Sequence, residues 1–304
     1  MYLKISKMPV KIVTVSDTHI PFHDPVAIRL AIKLIGLIKP KIVIFNGDII
    51  DHHGIRKFPT IPRHKTLFSL EVDISSQFIN KFIKELEKRG VEEFYWIEGN
   101  HENRLKKFLM QKAEELYDID QLSIPSLYQL QDNVTYLERH YKPCPIENYV
   151  APGIKAGPLH ITHGDLFKSN HNLINVARTL YLKLQVPMLI GHWHRNDRYL
   201  HTSYEGKISG FWVQGCLCLQ RPEYDAGKVW GQGISVIDVL SDKLFSVEII
   251  DFIRSHDNKL VGIWKGNKIE ENIRYKNDDI IEKIWTSKNL NNGKISKWVN
   301  MQFC

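Results

Sequence analysis

Cysteine is scarce. Cys144, Cys216, Cys218 and Cys304 are too few and too unevenly spaced for a disulfide framework, although Cys216 and Cys218 would share one face of a strand. That scarcity fits a reducing compartment, and the cytoplasm is the expected location. No stretch approaches the ~18 uncharged apolar residues that a membrane span needs. Met1 to Val10 carries lysines without the apolar core of a signal peptide, so neither membrane insertion nor secretion is expected. Charge of one sign is not strongly in excess either. Lys+Arg 41 against Asp+Glu 34 gives a net +7, which suits phosphate-rich partners without establishing one.

What is present is material for a large core, since 43% of the 304 residues are hydrophobic and 25% are charged. Single α/β domains commonly reach about 250 residues, so the expected organisation is a main domain over 1–254 with a basic extension over 255–304. Lys11 to Ser16 reads as a strand and Val26 to Ile38 as an apolar-rich helix, with Asp24 as its cap and Pro25 at its first position. Lys41 to Phe45, almost continuously apolar, reads as a parallel strand covered on both faces. Leu70, Ile74, Phe78, Phe82 and Leu86 recur every four residues, predicting an amphipathic helix closed by Gly90. Phe94 to Ile97 and Val134 to Leu137 are further strands, and Asn103 is placed to cap a helix from Arg104 to about Leu116.

Leu159 to Thr162 and Pro187 to Ile190 continue the strands, separated by a helix from about His171 to Leu184. From Arg198 onward two hairpins are expected, Tyr199–Tyr204 with Lys207–Val213 and Gly233–Leu240 with Leu244–Ile250, forming a second, largely antiparallel sheet. Beyond Arg254 no clear period remains. That extension is read either as partly disordered or as docked on the core through Trp264, Ile280, Trp285 and Trp298.

Five apolar runs end in turns rich in Asp, His and Asn: Asp17-Thr18-His19, Gly47-Asp48-Ile49-Ile50-Asp51, Gly99-Asn100-His101-Glu102, His163-Gly164-Asp165 and Gly191-His192-Trp193-His194. Any one of these is ordinary turn or cap chemistry. Together they deliver oxygen and imidazole donors from strand ends, which in α/β sheets gather in one crevice. A carboxylate can span two cations, whereas an imidazole nitrogen ligates one, so a shared position calls for Asp and flanking positions for His.

In these motifs the chain resembles the calcineurin-like metallophosphoesterase superfamily, over roughly residues 11 to 250. The resemblance implies an α/β, four-layer α-β-β-α sandwich of two mixed sheets, with a dinuclear metal site at the strand ends. By the same resemblance Asp17, His19 and His194 would hold one divalent ion, Asn100, His163 and His192 the other, and Asp48 would bridge them. Two ions ~3.5 to 4 Å apart stabilise both the attacking and the leaving oxygen of an in-line displacement, here by a metal-bridging hydroxide. Manganese is the expected metal by likeness to nuclease members, with iron or zinc as alternatives. His101 would protonate the leaving oxygen or stabilise phosphate charge. Asp51 would orient His101, or else cap a turn.

The superfamily's protein phosphatases follow Gly-Asp-x-x-Asp with Arg-Gly, and that arginine grips phosphate. Here His52 and His53 stand in those positions, where some members place substrate contacts, and imidazole does not replace a bidentate clamp. The favoured reading is therefore a phosphodiesterase or nuclease, nearest in site pattern to phosphodiesterases and DNA repair nucleases of the SbcD type, acting on nucleic acid or nucleotides. Arg104 and Arg195 are the expected phosphate contacts, helped by Lys106, Lys107, Arg198 and the basic loop from Arg56 to Lys65. With no coiled-coil signal, any ATPase partner would be a separate chain. The alternatives carried are a phosphomonoesterase, acting on phosphoprotein or small molecules, and a non-catalytic scaffold.

Overall fold

The computed structural model of the protein describes residues 2–56, 68–139, 152–167, 175–206, 208–219, 230–274 and 292–303. Two six-stranded mixed sheets lie face to face. The first runs β12 (Phe245–Asp251), β11 (Gly233–Val239), β2 (Val10–Val15), β3 (Ile42–Phe45), β4 (Glu93–Ile97) and β5 (Val134–Leu137), with β2 to β5 parallel. The second runs β1 (Tyr2–Ile5), β6 (Gly153–Ala156), β7 (Leu159–Thr162), β8 (Met188–Ile190), β10 (Ile208–Val213) and β9 (Asp197–Thr202).

The apolar continuity of β3 has a direct cause in this stacking. Val43 and Phe45 face the helices α1 (Pro25–Ile38) and α2 (Phe68–Glu87), while Ile42 and Ile44 face the other sheet and meet Ile154, Ile161 and Leu189. Alternate residues thus feed two separate cores. Helix α5 (Val176–Leu184) covers the outer face of the second sheet, packing Val176, Ala177 and Leu180 on Met188, Ile190 and Phe211. The layers are therefore α-β-β-α.

One expectation fails. The two C-terminal hairpins do not form the second sheet together: β9–β10 joins β8, whereas β11–β12 adds to β2 in the first sheet. Hairpin pairing is fixed by the turn between its strands, but the sheet it joins is fixed by distant contacts that a local pattern does not encode.

Asp24 caps α1 as expected, accepting from the amides of Val26 and Ala27. The cap of α3 (Asn103–Lys112) differs: Asn103 is buried within the first turn, and Glu102 takes the cap position without capping, because its carboxylate is committed elsewhere. A short α4 (Ile124–Leu127) follows. The first residues of the helix expected from His171, and all but Arg56 of the basic loop to Lys65, lie outside the described residues.

After residue 252 the chain adds an antiparallel sheet, β13 (Ile253–Arg254), β14 (Lys259–Trp264) and β15 (Asn267–Asn272), then helix α6 (Asn292–Gln302). These pack over α1 and α2 and bury Leu260, Trp264, Ile295, Trp298 and Val299 in the same core as Leu30 and Phe78. Ile280 and Trp285 lie outside the described residues. No described helix is long and apolar enough to cross a membrane. The Trp298 ring lies 5.8 Å from that of His23, and both are buried. Trp298→Ala is expected to lower unfolding free energy by about 3 to 5 kcal/mol, measured by denaturant titration. A change under about 1 kcal/mol would show that α6 adds little to the fold.

Candidate metal centre

The five turns meet at the carboxyl ends of both sheets, the first three following β2, β3 and β4 and the last two following β7 and β8. Backbone bonds stitch them together: Asp17 N donates to Gly47 O (3.0 Å), His19 N to Asp48 O (3.0 Å) and Gly191 N to His163 O (2.9 Å). Asp17, His19, Asp48, His52, His192 and His194 all have φ between 50° and 67°. Non-glycine residues rarely adopt this left-handed conformation, and its concentration here marks turns held by their surroundings. Two glycines are required by close approach. A Cβ on Gly99 would lie 2.2 Å from Asp48 Oδ1, and one on Gly191 would lie 2.0 Å from Ser16 Oγ.

Around Asp48 the side chains fall into two groups that share its carboxylate. Asp48 forms one group with His163 and His192 and another with His19 and His101, each within 4.8 Å. Oδ1 of Asp48 accepts from the His101 amide (2.8 Å), while Oδ2 lies 3.1 Å from His163 Nε2 and 3.8 Å from His101 Nε2. Asn100 Oδ1 stands 3.3 Å from the same His163 nitrogen. On the far side, His194 Nε2 is 3.1 Å from Asp17 Oδ1 and 3.1 Å from His19 Nε2. The structure thus brings Asp17, His19, Asp48, Asn100, His163, His192 and His194 into one crevice.

Tautomers follow from the outer partners. His163 Nδ1 donates to Asn46 O (2.8 Å), leaving Nε2 as the ring atom directed at Asp48 and Asn100. His19 Nδ1 likewise donates to Asp51 Oδ1 (3.0 Å), and its Nε2 faces His194. Imidazole nitrogens and carboxylate oxygens converging in a buried crevice are the donor set a divalent ion takes, so the residues fit one.

Electrostatics agree. Burial would raise the Asp17 carboxyl, but His194 outweighs it and lowers the pKa to about 2. For Asp48, burial likewise raises, and His163 and His101 hold it well below the usual carboxylate range. Burial would lower His163, but Asp48 beside it raises the ring to about 10. His192 is lowered to about 4 by burial and by His163. The carboxylates are thus anionic at neutral pH.

Asp51 serves two rings. Its Oδ1 is 2.7 Å from His101 Nδ1 and 3.0 Å from His19 Nδ1. Arg104 completes this corner, with Nη1 donating to Asp51 O (2.8 Å) and Nη2 lying 2.9 Å from His101 Nε2. His52 points away from the crevice: it is fully buried, its Nδ1 donates to His101 O (3.0 Å) and its Nε2 accepts from Tyr128 OH (2.8 Å). His53 lies 3.6 Å from Asp51 Oδ2, its amide held by Glu71 (2.7 Å). Arg195, just beyond His194, is exposed.

Other contributors act from outside the ligand positions. Glu102 accepts from the amides of Gly99 (2.8 Å), Asp48 (3.0 Å), Ile49 (2.7 Å) and Ile50 (3.3 Å), locking the β3 turn to the β4 turn. Arg139, just past β5, is buried and grips both oxygens of Asp165 (2.7 and 2.5 Å), bracing the turn that carries His163. Its position past a strand end was the available signal. Trp230 sets its ring edge-on to His194, centroids 4.1 Å apart, and nothing in its local sequence points there.

The chain is 25% identical over 242 residues to the Gene 54 protein of Mycobacterium phage L5, covering 76% of this chain and 90% of that one. The Gene 54 protein of Mycobacterium phage D29 matches at 25% over 240 residues, with the same coverage. Among solved structures, a metallophosphoesterase from Sphaerobacter thermophilus aligns with TM-score 0.37 and 14% identity, covering 79% of this chain and 88% of that one. A dimetal phosphatase from Danio rerio aligns with TM-score 0.35 and 12% identity, covering 86% and 98%. Residues 10–214, which include every one of the five turns, match the calcineurin-like phosphoesterase family. More than half the chain is spanned by that match, and the chain belongs to this family.

Proposed function

We propose that the protein hydrolyses phosphodiesters in nucleic acid or nucleotides with two divalent metal ions. The observation that carries the dinuclear reading is the Asp48 carboxylate, common to two separate groups of donors. Asp17, His19 and His194 would hold one ion, Asn100, His163 and His192 the other, with Asp48 between them. When bound, the ions supply Lewis acidity and neutralise charge on the attacking and leaving oxygens. Imidazole with oxygen donors suits manganese, iron or zinc, and manganese is the proposed working metal.

The protein's own groups take the remaining tasks. Asp51 holds Nδ1 of His101, so the ring presents Nε2 toward Asp48; Nε2 meets an Arg104 N–H at 2.9 Å, and once Arg104 turns to the substrate phosphate a protonated Nε2 can deliver its proton to the leaving oxygen. Arg104, beside Nε2 and part exposed, is placed to take a non-bridging phosphate oxygen. His52 is sealed behind the turn, so it makes no substrate contact and leaves the phosphatase arginine position without an anion clamp. Arg195, Arg198 and Lys107 are exposed beyond the site turns, where a polymer's neighbouring phosphates would run.

The test is a rate profile of metal-loaded protein on bis-(p-nitrophenyl) phosphate, p-nitrophenyl phosphate, and single-stranded and duplex DNA. Faster diester hydrolysis with DNA cleavage is expected. Preference for the monoester would overturn the diester reading. Inactivity on every substrate with manganese, iron and zinc in turn would make the fold a scaffold.

A further inference from the structure

Cys218 belongs to none of the five turns, yet its Sγ and ring nitrogens of His19 and His194 all lie within 4.8 Å of one another. The thiol is buried, 2% exposed. Its position is set by backbone. Leu217 N donates to Asp17 O (3.2 Å), Leu219 N to Phe22 O (3.1 Å) and Asp24 N to Leu217 O (2.8 Å), so residues 217–219 are laced to the segment that carries Asp17 and His19. Gln232 Nε2 holds the Cys218 carbonyl (2.8 Å). The neighbouring Cys216 Sγ lies 3.5 Å from Gly231 O and 3.9 Å from Cys218 O, close enough to His194 to influence that ring as well, but it is not in the group of His19, His194 and Cys218.

His19 Nδ1 is committed to Asp51, so the lone pair of His19 is on Nε2, and that atom faces His194 Nε2 at 3.1 Å. A sulfur atom beside two imidazole nitrogens, with Asp17 on the second, makes a compact set of mixed sulfur, nitrogen and oxygen donors. Atoms all within 4.8 Å of one another are within reach of one ion, given bonds of ~2.1 Å to nitrogen and ~2.3 Å to sulfur.

Resting on the dinuclear reading above, we propose that Cys218 is a thiolate ligand of the metal position formed by Asp17, His19 and His194. Binding forms a metal–sulfur bond and releases the thiol proton to solvent, with no change in oxidation state. Soft sulfur selects zinc or iron over manganese, whereas the Asn100, His163 and His192 position has only harder donors. The two positions therefore differ in metal preference, and the loaded protein holds an unlike pair when both metal types are supplied.

The experiment uses the full chain, stripped of metal and loaded anaerobically with cobalt(II). A thiolate-to-cobalt charge-transfer band in the near ultraviolet is expected in the unaltered protein and in Cys216→Ser, and is expected to vanish in Cys218→Ser. After equilibration with equal zinc and manganese, Cys218→Ser should show a zinc preference at least about tenfold weaker, since even indirect supports of a metal site cost 10- to 100-fold. If Cys218→Ser does not fold, X-ray absorption of the zinc-loaded unaltered protein decides, and a zinc–sulfur distance of ~2.3 Å is expected. Cobalt uptake without the band, or zinc bound with no sulfur neighbour, overturns the thiolate ligand and leaves the dinuclear reading standing. A folded chain that takes up no metal overturns both.

Discussion

Asp48→Asn is expected to lower kcat by at least about a thousandfold and to leave the protein with fewer than two tightly bound metal ions. The carboxylate is nearly inaccessible, and its two oxygens have different neighbours: Oδ1 takes the His101 amide and Oδ2 faces His163 and His101. A carboxamide presents one oxygen and an NH2 group. The carboxamide oxygen would have to face the His101 amide, as Oδ1 does now, so the NH2 group turns to His163 Nε2 and two cations lose their shared anion. Charge stabilisation of this kind is worth several kcal/mol, and each 1.36 kcal/mol is tenfold in rate. Metal analysis by mass spectrometry alongside steady-state kinetics checks it. Two ions per chain with full activity would remove Asp48 from the centre.

His101→Ala separates two roles that the geometry brings close together. The ring lies with His19 and Asp48 in one group of metal-capable side chains, but it also contacts Asp51 and Arg104 at the edge of the crevice. As a proton donor it should cost about 100- to 10,000-fold in kcat on substrates with poor leaving groups, and much less on p-nitrophenyl esters, whose leaving oxygen needs no proton. Metal content should be unchanged. Loss of one ion, or an equal rate loss on all leaving groups, would make His101 a ligand instead.

The sequence shows most of the crevice because its donors stand at fixed short offsets from apolar runs, and β3 and β4 advertise themselves by composition. What escapes it are bonds between turns distant in the chain. Glu102 reads either as a hydrogen-bond partner behind the ligands or as a helix-start acid, but its partners are not legible: it spans from the β4 turn to four amides, three of them in the β3 turn. Asn103 has the chemistry of a cap, but burial places it inside α3. Arg139 falls in a stretch without clear period, and Cys218 reads as one residue of a buried strand face. Helix α1 carries a further signal: Val26, Ala27, Ile28, Leu30, Ala31, Ile32, Leu34 and Ile35 are all buried, and a helix apolar over most of its circumference must be covered on its outer side. The cover is β14, β15 and α6.

The place of β11 has a consequence in time. It is hydrogen-bonded along β2 from Val239–Val10 to Ser235–Thr14, directly below the turn that carries Asp17 and His19. Every metal-ligand candidate of the five turns has been synthesised by residue 194, but β2 gains its second neighbour only with residues 235–239. Until those residues are made, the side of β2 away from β3 is an open sheet edge. Completion of the first sheet thus depends on a strand that bears no ligand and is made after every donor of the five turns.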